Sequence, residues 1–297
     1  MKNVNNECVM PELILEFVKF GLVAGTVVLM FAQGLDTPIE NLGFFSEYPG
    51  LLLRSLLAVI VLVPIAALLV ILLLVPSPAV AVGLAILAAC PAAPQMIVSI
   101  PKAGGGLAYV ASLHLALGAL SLVTTPVTLA LLAAALNFEA SVRPYVIAEQ
   151  VGTSLFLPLL LGMLFLVGFQ RAAEKIRRPV ALIGQAISFL TIALILLMRY
   201  HFLLQMDLRS YSAMAAMVII ALGIGHFLAP HQPEERTTLA LESAARHPGL
   251  AFIIAALNFP LEKALPVFIP YLVVFAVISL LYVQWRKRMM ADIVKKP

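Results

Sequence analysis

Long aliphatic stretches separated by short polar connections dominate the chain. Nine of them, at about 12–33, 50–75, 78–100, 106–136, 145–169, 178–198, 210–230, 237–258 and 264–285, approach the roughly 17–25 apolar residues that a membrane-spanning helix needs. Apolar side chains run all round each predicted helix, so an amphipathic period carries little information. A barrel reading fails, because barrel strands are short and alternate with period two. The expected fold class is therefore an all-α polytopic membrane protein with about nine transmembrane helices, forming a single transmembrane domain over 1–297.

Composition agrees. The chain is 62% hydrophobic and 11% charged, with a mean hydropathy of +1.05, against about 45–50% and 25% in soluble domains. Glu12, Glu16 and Lys19 interrupt the first 20 residues, and no small-residue cleavage site follows them, so they do not read as a signal peptide. Cys8 and Cys90 lie on different features, which argues against a disulfide framework. The net charge of +4 reflects the placement of Lys and Arg relative to the bilayer and predicts no nucleic-acid partner.

The basic residues also orient the chain. Arg171, Lys175, Arg177 and Arg178 fall between the fifth and sixth spans, and Arg286, Lys287, Arg288, Lys295 and Lys296 follow the ninth. An odd number of spans puts both groups on one side, the cytoplasm, and the N-terminus outside, as in a bacterial inner membrane. Asp36, Glu40 and Glu47 in the first connection carry little weight in this rule. Tyr282 and Trp285, just before the Arg286 cluster, are expected to anchor at the interface.

Two spans are interrupted. Cys90-Pro91-Ala92-Ala93-Pro94 breaks the third, and Arg246-His247-Pro248-Gly249 breaks the eighth. Proline removes a backbone donor and frees carbonyls that something must satisfy. One broken span per half is the best sequence pointer to a transporter binding site. The halves would be 1–136, with four helices, and 137–297, with five; an exact inverted repeat would lack one helix at its start. Ionisable side chains at such a depth line cavities or pathways and avoid lipid. The candidate ion- or substrate-binding residues are Glu242, Ser243, Arg246, His247, His114 and Gln95, with Pro91, Pro94, Pro248 and Gly249 as the helix breaks.

The run from Thr238 through Glu242, Arg246, His247, Pro248 and Gly249 to Ala251 resembles the signature of the bile acid:sodium symporter family and its bacterial relatives. Cys90-Pro91 through Pro126 resembles the family's other crossing helix and the helix after it. Met30-Phe31-Ala32-Gln33-Gly34-Leu35 resembles an early helix of the family. The resemblance implies a panel and a core, with two discontinuous helices crossing in the core near mid-membrane, and transport by alternating access. It also implies sodium sites, in which Glu242 would be a ligand. Other positions depart from that pattern: Arg246 stands where the family has Gln, His247 where it has Asn, and Met96, Ile97, Val110, His114 and Val59 stand at further ligand positions. Sodium, like other hard cations, wants oxygen donors. Met, Ile and Val offer none from their side chains, and Arg is itself a cation, so sodium coupling is not expected and no other cofactor is implied.

Several readings of this constellation stay open. Glu242 and Arg246, four apart, would share a helix face and form a structural ion pair. Alternatively, Arg246 is a tethered cation in the space of the transported ion and presents donors to an anionic substrate. His247 and His114 either carry protons or are neutral groups satisfied locally. His226 is expected at an interface. Lys102 with Gly104-Gly105-Gly106 makes a turn and not a phosphate loop, and no HExxH or GxSxG run is present. The sequence therefore points to a secondary transporter of a small organic anion and not to an enzyme. A proton-coupled or uncoupled carrier of another solute and a non-transporting sensor or scaffold are the alternatives. The sequence sets no oligomeric state.

Overall fold

A computed structural model describes residues 12–37, 44–138, 144–199, 203, 206–230, 232–258 and 261–295. Every regular element among the described residues is helical. We number the principal helices α1 (Glu12–Leu35), α2 (Pro49–Leu74), α3 (Pro78–Ala89), α4 (Met96–Lys102), α5 (Leu107–Ala135), α6 (Pro144–Gly168), α7 (Gln170–Arg199), α8 (Leu208–Leu228), α9 (Pro233–Ala244), α10 (Pro248–Asn258) and α11 (Leu261–Lys295). Among the described residues seven helices, parts of α1, α2, α5, α6, α7, α8 and α11, are long and apolar enough to cross a membrane. The other two predicted spans, 78–100 and 237–258, are each a pair of short helices, α3 with α4 and α9 with α10.

Helix ends follow local chemistry. Asp207 caps α8 by accepting from the Ser210 N–H at 3.3 Å. The Ser210 side chain, and to a lesser degree this backbone contact, hold the exposed Asp207 carboxyl below its usual range. Proline opens α3, α9 and α10, where its missing N–H costs nothing. After α4 the chain turns at Gly104, whose φ of 91° favours glycine. The turn is pinned to α9 by the Gly106 N–H donating to Thr238 Oγ1 at 2.9 Å.

Prolines inside spans are absorbed by a change of helical register. Residues Leu57–Leu62 of α2 and Gly152–Phe156 of α6 are π-helical, just before Pro64 and Pro158. The Val63 N–H bonds to Ala58 O, five residues back. The next donor in that register would be residue 64, but proline has no N–H, so the carbonyl of Val59 is freed.

The basic fifth-to-sixth connection differs from expectation. Arg171, Lys175, Arg177 and Arg178 lie within α7, which starts at Gln170 directly after Phe169. Gln170-Arg-Ala-Ala-Glu-Lys is made of good helix formers, and a charged helix end in water continues the span at no cost. Arg177 meets Asp36 of the first connection at 2.8 Å, so these two polar ends share one level.

Helix α1 packs along α7 and α6. At Gly34 and Gly162 the backbones of α1 and α6 touch: a Cβ on Gly34 would lie 2.2 Å from Leu159 O. Helix α8 lies against α9 and α2, and α11 against α3, α8 and α10. Helix α5 meets α6, α3, α4 and α9, while α10 reaches across to α1. Large side chains such as Leu73, Val123, Phe189 and Leu197 are exposed along the outside, as a lipid-facing surface requires.

Candidate functional site

The two helix interruptions meet. Helix α3 ends at Ala89 and turns extended at Cys90, and α9 ends at Ala244 and turns extended at Ala245. One backbone hydrogen bond joins them, from the His247 N–H to Pro91 O at 2.9 Å. Each break leaves C-terminal carbonyls without helical partners.

Arg246 answers those carbonyls. Its Nη1 donates to Cys90 O at 3.1 Å and its Nη2 to Ser243 O at 2.5 Å. A longer contact, 3.5 Å, runs from Nη1 to Val59 O, the carbonyl freed by Pro64. Arg246 is 3% exposed. A positive charge thus sits where two half-helix C-termini converge, each with negative dipole character.

The expected face-sharing pair of Glu242 and Arg246 does not form. The helix stops at Ala244, so a four-residue spacing no longer places side chains together. Among the described residues the ionisable partner of Glu242 is His114 of α5, with Nδ1 3.0 Å from Oε1. Both are buried, and Glu242 Oε2 and His114 Nε2 have no protein partner. The Ser243 hydroxyl and Arg246 Nε are likewise buried and unpartnered. Buried polar atoms are normally satisfied, so such a cluster marks a place for water or a ligand.

His247 and Arg246 line different cavities. His247 caps α10: the Leu250 N–H donates to its Nδ1 at 3.2 Å. An accepting Nδ1 assigns the proton to Nε2 in the neutral ring. That Nε2 is buried and unpartnered, and the residue lines a cleft between α1, α7, α10, α11 and the two breaks. The cleft is narrow, with a cavity volume of about 40 Å³. Its polar groups come from Thr26, Gln95, Ser188 and His247, and Leu22 and Phe252 contribute to an apolar wall. Gln95 Oε1 is also without a partner. Pro248 and Gly249 bring the N-terminus of α10 to the same space.

The proposed residues therefore separate into three groups: Glu242 with His114, Arg246 on the carbonyls of Cys90 and Ser243, and His247 with Gln95 in the cleft. Pro91 bridges the breaks through its carbonyl, and Pro94 is buried beside them. Thr26 and Ser188 were not singled out from the sequence; a lone hydroxyl in an apolar span was the available signal. The carbonyls of Val59, Cys90 and Ser243 carried none.

Two interrupted helices meeting inside a helical membrane bundle are a feature of many transporter folds. The sodium bile acid symporter family model matches residues 23–206, and the chain belongs to that family. It is accordingly a membrane transporter of the bile acid symporter type and not an enzyme. No curated protein matches the chain. The family match stops before α9, so the parts played by Glu242, Arg246 and His247 are argued from their geometry.

Proposed function

We propose that this transporter carries a small organic anion by alternating access and does so without sodium. The carrying observation is the Arg246 guanidinium between Cys90 O and Ser243 O. Unwound carbonyls and half-helix C-termini are where transporters of this kind hold a cation, and here a tethered cation takes that position. Val59, Val110, Met96 and Ile97, at positions where the resemblance implies further sodium ligands, have side chains without oxygen, although Thr124 and Thr128 line the cavity beside Arg246. The anion belongs in the cleft, where the N-terminus of α10 and the His247 Nε2–H supply donors. Arg246 thus holds the crossing and does not itself line the cleft.

The remaining assignments extend this reading. The halves 1–136 and 137–297 form an inverted repeat, one interrupted span in each, in a bacterial inner membrane with the N-terminus outside and the C-terminus cytoplasmic. The basic residues at the start of α7 and the end of α11 support that orientation.

The test is a thermal-shift screen of carboxylates and sulfonates on the purified protein in sodium and in potassium, followed by uptake into proteoliposomes. A ligand that binds only the folded state must stabilise it. Equal stabilisation and equal uptake in both salts are expected. Stabilisation by sodium alone, absent with potassium, overturns the reading. No uptake of any stabilising anion favours a scaffold. A second reading, proton coupling, draws on the buried contact between His114 and Glu242; uptake driven by an inward proton gradient in sodium-free buffer would single it out.

A further inference from the structure

A groove of about 650 Å³ runs along the outside of α8 and α11, away from the crossing. One wall presents Leu222, His226 and Phe227 of α8, and the other Ile278, Tyr282 and Trp285 of α11. Leu222 and His226 are four residues apart on α8, and Ile278, Tyr282 and Trp285 four and three apart on α11, so each set lies on one helix face. On α11 the lining extends from Ile278 to Met289, a rise of about 16 Å at 1.5 Å per residue. That is close to half of a hydrocarbon core of about 30 Å, or one leaflet.

One end of the groove is basic. Arg236 and Arg286 both line it. Arg286, 5% exposed, is fixed by donating from Nη2 to Pro233 O at 2.8 Å and from Nε to Thr237 Oγ1 at 3.2 Å. Arg236 is fixed by its Nε donating to Pro230 O at 3.2 Å. Among the described residues neither guanidinium has a carboxylate within 4 Å, and no acidic residue lines the groove. Lys287 and Arg288 follow in the next turn of α11. Between the basic end and the apolar walls lie His226, hydrogen-bonded to the Tyr282 hydroxyl at 2.9 Å, and the Trp285 ring 5.5 Å from His226. Aromatic groups with a polar handle belong at the headgroup level.

We propose that this groove is a binding site for an anionic phospholipid, with an acyl chain between α8 and α11 and the phosphate on Arg236 and Arg286. Two positive charges at the mouth, one over the Trp285 ring at 5.9 Å, favour a lipid with net negative charge over a zwitterionic one. The basic end of α11 places the site in the cytoplasmic leaflet, where anionic headgroups and polybasic segments meet. The site also touches the transport machinery, because Arg286 holds Pro233 and Thr237 at the start of α9, which ends at the crossing.

Trp285 is the single tryptophan of the chain, which makes the groove its own reporter. The full-length protein is reconstituted in phosphatidylcholine vesicles, and 6,7-dibrominated phosphatidylglycerol or 6,7-dibrominated phosphatidylcholine is titrated in. Half-maximal quenching by the anionic lipid is expected at a mole fraction several-fold lower than for the zwitterionic one, since each basic residue near the surface strengthens binding by roughly fivefold. Arg236→Gln, which removes one of the two charges assigned to the phosphate, should cut that preference by about the same factor. Inorganic phosphate at millimolar concentration should not displace the brominated lipid. Equal quenching curves for the two lipids overturn the proposal. So does an undiminished preference in both Arg236→Gln and Arg236→Gln/Arg286→Gln, or full displacement by free phosphate, which would make the site one for a soluble anion.

Discussion

His114 Nδ1 lies 3.0 Å from Glu242 Oε1, joining α5 to α9 across 128 residues of chain. Both side chains are buried, and no other basic side chain lies within 4 Å of the Glu242 carboxylate among the described residues. Removing either partner leaves a buried polar group without its hydrogen bond and should cost about 1–3 kcal/mol. Thermal unfolding of Glu242→Ala, His114→Ala and the double variant checks this. The double variant should lose clearly less than the sum, by at least about 0.5 kcal/mol; strict additivity would show that the two do not interact.

Arg246→Lys keeps the charge and loses the fork. An ammonium on a flexible stem does not span Cys90 O and Ser243 O with the same geometry. Each hydrogen bond lost from a charged group is worth about 1.5–3 kcal/mol, so the variant should unfold measurably earlier, and Arg246→Gln earlier still. A Lys variant as stable as the parent would contradict the bridging part assigned to the guanidinium.

At His247 the cap and the cleft contact are separable. Asparagine is among the best capping residues and should keep α10 closed, whereas alanine should cost about 1 kcal/mol. Both lose the Nε2–H. Uptake of the anion that stabilises the parent should therefore fall in His247→Asn even though its melting temperature stays close to that of the parent. Parental uptake by the Asn variant would remove His247 from the substrate site.

Gly34→Ala should destabilise by about 1–3 kcal/mol, the usual range for overpacking, because the new Cβ would lie 2.2 Å from Leu159 O. Gly223→Ala is the control, since a Cβ there meets nothing within 4 Å. It should be neutral or stabilise by up to about 1 kcal/mol. Differential scanning fluorimetry in detergent distinguishes them, and equal melting temperatures would mean that α1 and α6 are not in backbone contact.

Orientation has a native probe. Cys8 precedes the first span and Cys90 is buried at the crossing. A membrane-impermeant maleimide added to intact cells should label the parent and the Cys90→Ser variant equally, and Cys8→Ser not at all. Labelling only after the membrane is opened would put the N-terminus inside.

The spans were legible because a bilayer imposes length and hydropathy on any helix that crosses it, and the family was legible in the runs around Met30, Cys90 and Pro91. The partners of the charged residues were not. Glu242 and Arg246 lie four apart, a spacing that means contact only while the helix continues, and it ends at Ala244. His114 is remote in sequence from Glu242, and Val59 O becomes available only through the π register before Pro64. Arg286 read as part of a surface basic cluster, yet it is buried against Pro233 and Thr237, contacts that only the packing of α11 on α9 creates.

The bridge from Arg246 to Cys90 spans 156 residues of chain, and this sets a schedule for biogenesis. At about 5–20 residues per second of synthesis, roughly 8–30 s separate the two partners at the ribosome. During that interval the freed carbonyls of Cys90 and Pro91 have already been made, but Arg246 and the His247 N–H that answer them do not yet exist. The third span is then a poor guest in lipid, better kept near the insertion machinery or water than released. Nascent chains stalled before residue 246 should accordingly remain cross-linkable to the insertase through a probe at position 90, and chains stalled well beyond α10 should not.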